Sequence, residues 1–453
     1  MKIFLKIIKW LLIVLGGLIG VILLFVVFAV APLDRYDYKQ EPFYEAMMHE
    51  LDTLKHRDVQ THPTGFSVGY ARVSLTPAQP TALAGHAQRK GKVFTGVHDS
   101  VYVNAMVISN GRTRVALVSA DLLIMPPSVY EVLDRELPVA GFTLDNTYLS
   151  ATHTHNSVGN WADRATSLLY GEYSDSIVHF IAHRILMAVE KASQNLVPAE
   201  IKTGKFPVAA VRHRIVDEGG GLDSLVHVVE IDRIDSVKLL LASYTAHATC
   251  IRVEDMVVSR DYPGVLTDAF EKRGYDFAMF MAGAVGSHAA NAPEHGWSCT
   301  EWVSDQICTR FDSNRHIFTA VHDTTLAMYR VPLQLGDAQV KVSEDWKVRG
   351  WVFNAAFGKY PVYLTALRIG NLLMLGTPCD YSGELMPPLY ALGQEKGLDV
   401  MVTSFNGGYI GYITPDKYYD VDHYETRLMN WYGPGSGSYM TTSLKRLLEI
   451  AAE

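Results

Sequence analysis

The most informative segment of the sequence is Thr147-Tyr148-Leu149-Ser150-Ala151-Thr152-His153-Thr154-His155-Asn156. Its first half has the composition of a strand, and its second half is a polar turn that carries two histidines. In an extended chain, residues i and i+2 project to the same face, so His153 and His155 can both address one site. A strand end that opens into a loop is where α/β folds usually place their chemistry. The alternative from this local pattern is a pair of surface histidines at a turn.

Strand-like and helix-like segments alternate on both sides of this stretch. Strand composition recurs at Val101–Ser109, Val115–Ser119, Val226–Ile231, Leu239–Tyr244, Phe277–Met281 and Leu372–Leu375. In Ser176–Lys191 the apolar residues fall along one helical face, and further helices are expected from Val265 and over Thr442–Ala452. We therefore expect an α/β fold with one large mixed-sheet catalytic domain flanked by helices, over residues 66–453.

Composition limits the classes of function. The chain has 453 residues, of which 48% are hydrophobic and 19% charged, as in a folded, core-forming protein. Its formal net charge of -8 lacks the basic footprint of a nucleic-acid-binding protein, so no nucleic-acid partner is expected. The four cysteines are too few for a disulfide framework and form no C-x-x-C pair. Cys299 and Cys308 could bridge in an oxidising compartment, but the sequence leaves this open.

The N-terminus has the pattern of a membrane anchor. Lys2, Lys6 and Lys9 precede an uncharged stretch over residues 10–31, which is long enough to cross a bilayer as a helix. The charge pattern places the N-terminus in the cytoplasm and the catalytic domain outside it, periplasmic or extracellular. We therefore expect residues 1–32 to be a retained signal anchor. The alternative is a signal peptide cleaved after Ala29-Val30-Ala31.

A polar stem over residues 33–65 should connect this anchor to the catalytic domain. Within it, Pro42–Leu54 has apolar residues at helical spacing, which predicts a short amphipathic helix. His62-Pro63-Thr64-Gly65 then reads as a loop before the domain begins near Phe66.

Other histidines and loops are candidates for the site. His179 and His183 are four residues apart on a predicted helix, but the H-E-x-x-H form is absent, so we expect them to be structural. His247 follows a strand, as does the small-residue loop that ends in Ser287 and His288. That loop lacks the Lys-Ser/Thr ending of a P-loop and contains no nucleophile elbow.

Several motifs in order resemble one known family. They are Val68-Gly69-Tyr70-Ala71-Arg72, Gly96-Val97-His98-Asp99, Ser119-Ala120-Asp121-Leu122, Thr152-His153-Thr154-His155-Asn156-Ser157 and Tyr424-Glu425. Together they resemble the N-terminal catalytic domain of the neutral, non-lysosomal ceramidases, from about residue 66 to about residue 439. The resemblance implies a hydrolase of a linear amide bond that contains one catalytic zinc ion.

The same resemblance implies a set of zinc ligands. The family uses two histidines, a glutamate and a tyrosine, which correspond here to His153, His247, Asp380 and Tyr412. Aspartate in place of glutamate is one methylene shorter but keeps an oxygen donor that zinc accepts. His155 corresponds to the second histidine of the motif and is expected to be catalytic, transferring a proton beside the metal.

One loop departs from the family pattern. The family's Gly-Asp-x-Ser-Pro-Asn becomes Gly286-Ser287-His288-Ala289-Ala290-Asn291, so Ala289 replaces the active-site serine. We expect Ser287 and His288 to contact substrate there.

The expected function is a membrane-anchored zinc hydrolase of an amide bond, with an N-acyl sphingolipid as one substrate class and a lipid or small molecule as partner. An esterase or amidase for another cell-envelope or glycolipid substrate is an alternative, as is a membrane-tethered binding protein that has lost catalysis. The sequence does not indicate the oligomeric state.

Overall fold

The computed structural model describes residues 2–54, 65–214 and 219–453. Its helices are α1 (Lys2–Ala29), α2 (Pro42–Thr53), α3 (Pro127–Glu136), α4 (Ser167–Tyr170), α5 (Asp175–Ser193), α6 (Asp261–Lys272), α7 (Trp297–Asn314), α8 (Gly350–Phe357), α9 (Pro387–Glu395) and α10 (Ser436–Ala452).

A large mixed sheet forms the centre of the fold. Its strands are β2 (Phe66–Ser74), β5 (Tyr102–Ser109), β6 (Arg114–Ala120), β7 (Thr147–Ala151), β9 (Val197–Pro207), β11 (Leu225–Arg233), β12 (Lys238–Tyr244), β14 (Phe277–Ala282) and β16 (Thr319–Ala320). They lie in the order β14-β12-β11-β9-β2-β5-β6-β7, with β16 beside β9. The pairs at the two ends, β12 with β14 and β6 with β7, are parallel, whereas the others are antiparallel.

A smaller sheet packs against the large one. Its strands lie in the order β17 (Leu326–Pro332), β19 (Tyr363–Ile369), β20 (Leu372–Gly376) and β22 (Asp399–Thr403). Along β5, Met106 and Ile108 contact this second sheet, while Ala105 and Val107 face the core shared with α3, α5, α6 and α7. The outer face of the smaller sheet is covered by α2, α9 and α10. The result is four layers, helix–sheet–sheet–helix, in which strand alternation separates the cores.

Short two-stranded pairs connect the loops. They are β1 (Val30–Pro32) with β18 (Trp346–Val348), β3 (Leu83–Gly85) with β8 (Asn156–Val158), β4 (Gly96–Val97) with β13 (Val257–Val258), β10 (Val211–His213) with β15 (His288–Ala290), and β21 (Asp380–Tyr381) with β23 (Tyr412–Ile413). Most of them border the polar residues discussed below.

The predicted α/β fold with a large mixed sheet flanked by helices is confirmed, and β7 has the predicted bounds. The start of α6 differs from the prediction, because the helix begins at Asp261 and includes Pro263. Proline fits there because the first four backbone N–H groups of a helix have no intrahelical partner.

The N-terminal segment has two helices. Within α1, residues 3–29 are long and apolar enough to cross a membrane by length and composition, a test that a signal sequence also passes. α2 confirms the predicted amphipathic helix, and it buries Met47 and Leu51 against the smaller sheet. Residues 55–64 of the expected stem, with the predicted loop at 62–64, lie outside the described residues.

The disulfide differs from the pairing that the sequence left open. Cys250 is bonded to Cys299, whereas Cys308 and Cys379 are free and buried. The bond joins residues 49 apart, connecting the loop after β12 to the start of α7. Cys299 and Cys308 both lie on α7, and two cysteines nine positions apart on one straight helix cannot meet.

Thiol counting tests this pairing. The unfolded, unreduced protein should show the two thiols of Cys308 and Cys379, and reduction should expose the other two. Reductant should also lower the free energy of unfolding by about 2–4 kcal/mol, because the bond restrains a long loop in the unfolded chain. The double variant Cys250→Ser/Cys299→Ser is the control, and its unfolding should not respond to reductant. Four thiols before reduction would contradict the pairing.

Candidate metal centre

The carboxyl ends of strands from both sheets meet at one place. β7 leads into His153 and His155, β12 leads into His247, and β20 leads into Asp380. Asp380 itself lies on β21, directly opposite Tyr412 on β23. Residues from distant parts of the chain are therefore brought together because the strands that carry them end side by side.

Ser404, the residue after β22, connects these strand ends. Its carbonyl accepts a hydrogen bond from Ser150 Oγ of β7 at 3.0 Å, and its N–H donates to the carbonyl of Ala282 of β14 at 2.9 Å. The β6 and β7 end of the large sheet also lies against β14, since Ser119 Oγ donates to the Phe280 carbonyl at 2.5 Å. The large sheet thus curves so that its two parallel pairs approach one another.

Three buried histidines converge at this place. The Nε2 atoms of His153 and His247 are 2.8 Å apart, and His155 Nε2 lies 3.2 Å from the first and 3.1 Å from the second. We call His153, His155 and His247 the histidine trio. Their ligand atoms are close enough together to hold one metal ion. The alternative of surface histidines at a turn is wrong, because none of the three is more than 7% exposed.

Backbone carbonyls fix the protonation of two of these rings. His153 Nδ1 lies 2.6 Å from the Leu123 carbonyl, and His247 Nδ1 lies 3.3 Å from the Val285 carbonyl. A carbonyl only accepts, so each Nδ1 carries the hydrogen and each neutral ring has a lone pair at Nε2. Two lone pairs that face each other at 2.8 Å repel unless a cation lies between them. Metal-bound histidines commonly donate their other N–H to a carbonyl in this way, so the residues fit a metal ion.

The backbone at His153 is also unusual. Its φ is 65°, a left-handed conformation that few residues other than glycine adopt. The His153 N–H donates to the Leu122 carbonyl at 3.0 Å, which holds the turn in place. Such conformations cost about 1–3 kcal/mol and cluster at functional sites.

A carboxylate and a phenol border the trio on one side. Asp380 Oδ1 lies 3.4 Å from His153 Nε2 and has no hydrogen-bond partner, although the side chain is buried. Its other oxygen, Oδ2, accepts a hydrogen bond from Tyr409 at 2.7 Å. Tyr412 is next to Asp380 on the paired strand, and its ring stacks 6.4 Å from that of His247. The four residues predicted as ligands are therefore neighbours, while His155 lies as close to His153 and His247 as they do to each other.

Burial sets the charge state of the site. It lowers the pKa of His153 to about 3 and those of His155 and His247 well below the usual value, with neighbouring imidazoles and Arg214 adding to the effect. Neutral imidazole is the form that binds a metal. Burial also raises the pKa of Asp380 to about 7, against the Tyr409 hydrogen bond, which lowers it. A cation among these residues would favour the ionised carboxylate.

Sequence reasoning missed a partly buried arginine at the site. Arg214 Nη1 donates a hydrogen bond to the Tyr412 hydroxyl oxygen, and its guanidinium lies over the rings of Tyr412 and Tyr424. Glu425 is buried within 3.9 Å of the same Nη1. The sequence around Arg214 has no pattern that predicts a site residue. Arg214 lies in a polar segment, and the other site residues are far from it in sequence.

Another histidine, His86, was also missed. Its ring centroid is 4.9 Å from that of His155, and its Nε2 is buried without a hydrogen-bond partner. Burial lowers the pKa of His86 to about 4, so this ring too is neutral. His86 is a single histidine between two short strands, and nothing in the sequence predicts that it lies close to His155.

Ser287 and His288 lie behind His247. The Asp223 N–H donates to His288 Nε2 at 2.8 Å, so the hydrogen of a neutral His288 is on Nδ1, which donates to Ser287 Oγ at 2.8 Å. Ser287 Oγ is also 2.6 Å from Ser382 Oγ. Both side chains are buried and hydrogen-bonded within the protein, and contact with substrate stays a prediction for them.

His179 and His183 lie away from the trio. Their side chains are 38% and 60% exposed on α5, and they face Asp175 and Glu136 respectively.

A cavity of about 950 Å³, lined by Asp223, Glu384 and Tyr390 among others, is also separate from the trio. His288 lies between the cavity and the trio. Its carbonyl accepts a hydrogen bond from the His247 N–H, and its ring accepts one from the Asp223 N–H.

Fold and site thus define an α/β protein with a buried centre that can hold a metal ion. Residues 66–214 match the model of the family described as neutral/alkaline non-lysosomal ceramidase, N-terminal. Among solved structures, neutral ceramidase from Pseudomonas aeruginosa is similar with a TM-score of 0.73 and 16% identity, over 87% of this chain and 74% of that one. A structure described as ceramidase complexed with C2 is similar with a TM-score of 0.74 and 16% identity, over 87% of this chain and 76% of that one. The resemblance to the neutral ceramidase family is confirmed, and the structural matches show the shared fold.

Removing either His153 or His247 should weaken metal binding at this centre. His153→Ala and His247→Ala should each weaken metal binding by at least about tenfold, because each deletes a lone pair aimed at the common point. His183→Ala is the control, since this exposed side chain lies elsewhere. Metal content per chain, measured by mass spectrometry after dialysis, checks this. Unchanged metal content in both variants would place any ion at another site.

Proposed function

We propose that this protein is a membrane-anchored, zinc-dependent hydrolase that cleaves the amide bond of an N-acyl lipid, with ceramide-like sphingolipids as the substrate class. The observation that carries the proposal is the pair of Nε2 lone pairs of His153 and His247, which face one another at 2.8 Å. The family match over residues 66–214 supports amide hydrolysis as the reaction.

The proposed zinc ligands are His153, His247, Asp380 and Tyr412. Nitrogen and oxygen donors of this kind suit zinc, and their neighbours hold them: carbonyls hold both histidines, Tyr409 holds Asp380, and Arg214 holds Tyr412. A zinc ion bound here would polarise a substrate carbonyl and lower the pKa of a water molecule to about 7.

His155 is proposed to move the proton. Its pKa is lowered by burial and by the other imidazoles, so the ring is neutral and can accept a proton at Nε2, the atom that faces the trio. The oxygen of water bonds to the acyl carbon while a proton passes to His155 Nε2. As the C–N bond breaks, His155 returns the proton to the leaving nitrogen, which gives a carboxylic acid and an amine. General acid–base catalysis of this kind contributes about 10²–10⁴-fold.

Arg214 and Tyr412 are proposed to stabilise negative charge. Arg214 is a partly buried cation, with its side chain 17% exposed, that donates to the Tyr412 hydroxyl oxygen, so positive potential reaches the centre through this phenol. Negative charge develops on the carbonyl oxygen in the transition state of amide hydrolysis. A preorganised donor in a buried site lowers the energy of that state without reorganisation.

The loop with Ala289 bears on the nucleophile. Ala289 lies on β15, opposite Arg212 of β10, and forms a bridge with His247, so this segment supports a proposed ligand. Since His288 Nδ1 carries a hydrogen, it cannot take the proton of Ser287, which argues against this pair as a substitute nucleophile. The missing serine favours the alternative of a binding protein without catalysis. The complete set of ligand residues favours the enzyme.

The proposed anchor is α1, with residues 1–32 retained, residues 33–65 as the connection and residues 66–453 as the hydrolase domain outside the cytoplasm. Retention is supported by β1, because Ala31 is 8% exposed and pairs with Lys347 of β18, a contact that cleavage after Ala31 would remove. The Cys250–Cys299 disulfide supports an oxidising compartment for the domain.

Three variants separate the proposed roles. His155→Ala should lower kcat on an N-acyl lipid amide by about 10²–10⁴-fold with metal retained, because it removes the proton carrier and no ligand. Asp380→Asn should lose both metal and activity. Ser287→Ala should have a small effect on both, since Ser287 bonds only to protein groups among the described residues.

Metal content beside rate for the three variants is the informative comparison. Abolished activity with full metal content in Ser287→Ala would show that the loop supplies a nucleophile, contrary to the proposal. A wild-type protein that holds zinc but hydrolyses none of a panel of acyl amides and esters would favour the binding protein.

N-terminal sequencing of the purified protein tests the anchor. The mature chain should begin at or near Met1, because β1 packs onto the domain and its loss would expose β18. A mature chain that begins at Pro32 would mean a cleaved signal and a domain that is not anchored.

A further inference from the structure

The end of α1 is fixed to one part of the globular domain. The Arg349 N–H donates to the Ala29 carbonyl at 2.8 Å, and Trp351 Nε1 donates to the Phe28 carbonyl at 3.2 Å. β1 begins at the next residue, Val30, which pairs with Val348 of β18. If α1 crosses the bilayer, the surface around β18 and α8 therefore lies where the anchor leaves it.

That surface carries large apolar side chains exposed to solvent. Val342, Trp346, Trp351 and Leu428 are between 45% and 56% exposed. We call these four residues the anchor-side face. Three of them are neighbours, since the Val342 N–H donates to the Trp346 carbonyl at 2.9 Å and Arg427, next to Leu428, donates to the Val342 carbonyl at 3.4 Å. Trp351 follows β18 on α8, where it bonds to the end of α1. Clustered exposed apolar residues mark interaction surfaces, and tryptophan is enriched at the membrane–water interface.

The charges around this face indicate shallow contact. Glu344 and Asp345 are exposed beside Trp346, and Arg349 is exposed beside Trp351. Carboxylates resist entry into hydrocarbon, whereas an arginine can pair with lipid phosphate. These charges suit a position of the face in the headgroup region of the bilayer. At that depth the tryptophan rings reach the top of the acyl chains.

Aromatic rings lead from this face to the metal centre. On the inner side of α8, Phe353 and Phe357 lie 5.3 and 5.7 Å from Trp431. Trp431 is 5.5 Å from Tyr409, whose hydroxyl donates to Asp380. The membrane-facing surface and the proposed ligand are thus connected by one continuous apolar and aromatic layer.

We propose that the anchor-side face rests on the bilayer that holds α1, and that the N-acyl lipid leaves this bilayer along the α8 side of the domain to reach the histidine trio. The inference rests on the proposed anchor and deepens the proposed function, because it names the membrane surface as the source of substrate. The occupant of the face is the lipid headgroup layer and not another protein.

Depth-dependent quenching tests this with the full chain in vesicles of phosphatidylcholine and phosphatidylglycerol. Trp351→Cys and Val342→Cys would each carry an environment-sensitive dye, with the native free cysteines, Cys308 and Cys379, buried. Lipids that quench at headgroup depth should quench both dyes strongly. Val139→Cys is the matched control, because Val139 is also apolar and 79% exposed but lies beyond α3, and its dye should not respond.

A dye at Leu18→Cys, in the middle of α1, separates the two proposals. Lipids labelled at the acyl-chain centre should quench the Leu18 dye if α1 spans the bilayer. If they do, but the dyes at positions 351 and 342 are quenched no more than the dye at position 139, the membrane contact is wrong and the anchor stands. If the Leu18 dye is not quenched either, α1 does not span the bilayer, and the anchor and this inference both fail.

Kinetics test the route of the substrate. Trp351→Ser should lower kcat/KM for an N-acyl lipid in vesicles by about tenfold, equivalent to about 1.4 kcal/mol. It should leave kcat/KM for a water-soluble short-chain acyl amide unchanged, and Trp351→Phe should restore most of the loss. Equal losses on both substrates would show a structural role for Trp351 and contradict the route.

Discussion

At the centre of the fold, the Nε2 atoms of His153 and His247 approach to 2.8 Å, and a backbone carbonyl accepts from each Nδ1. Neither ring can donate to the other in this arrangement, and burial opposes protonation of both. A buried lone-pair repulsion of this kind is costly, and a cation held between the two rings would remove it. The same cation would give the neighbouring unpartnered oxygen of Asp380 a partner.

The fold forms this centre through its strand ends. β7, β12 and β20 each end two to four residues before a proposed ligand, and the packing of the smaller sheet on the large one brings the third of these strand ends beside the other two. Outside them, Arg214 and Tyr409, on separate segments, form hydrogen bonds to the proposed oxygen ligands Tyr412 and Asp380. The helix layers supply none of the trio, but they keep both sheets buried.

Sequence predicted the parts of this arrangement that are local. The composition of β7 and the i, i+2 spacing of His153 and His155 predicted a strand followed by two neighbouring histidines. The family resemblance predicted that His247, Asp380 and Tyr412 would lie beside them. Contacts without a local pattern were not predictable: Arg214, the approach of His86 to His155, and the choice of Cys250 as partner of Cys299 depend on how loops meet in space. The division into two sheets was also missed, because a strand's composition does not reveal which sheet it joins.

X-ray absorption spectroscopy at the zinc edge, on the purified full chain, tests the central claim most directly. The account predicts one zinc ion per chain with only nitrogen and oxygen donors at about 2.0–2.2 Å and scattering from two imidazole rings. The His155→Ala variant should give the same spectrum, since His155 is assigned to the proton and not to the metal. Absence of a bound ion, sulfur in the coordination shell, or loss of an imidazole in the His155→Ala spectrum would contradict the account.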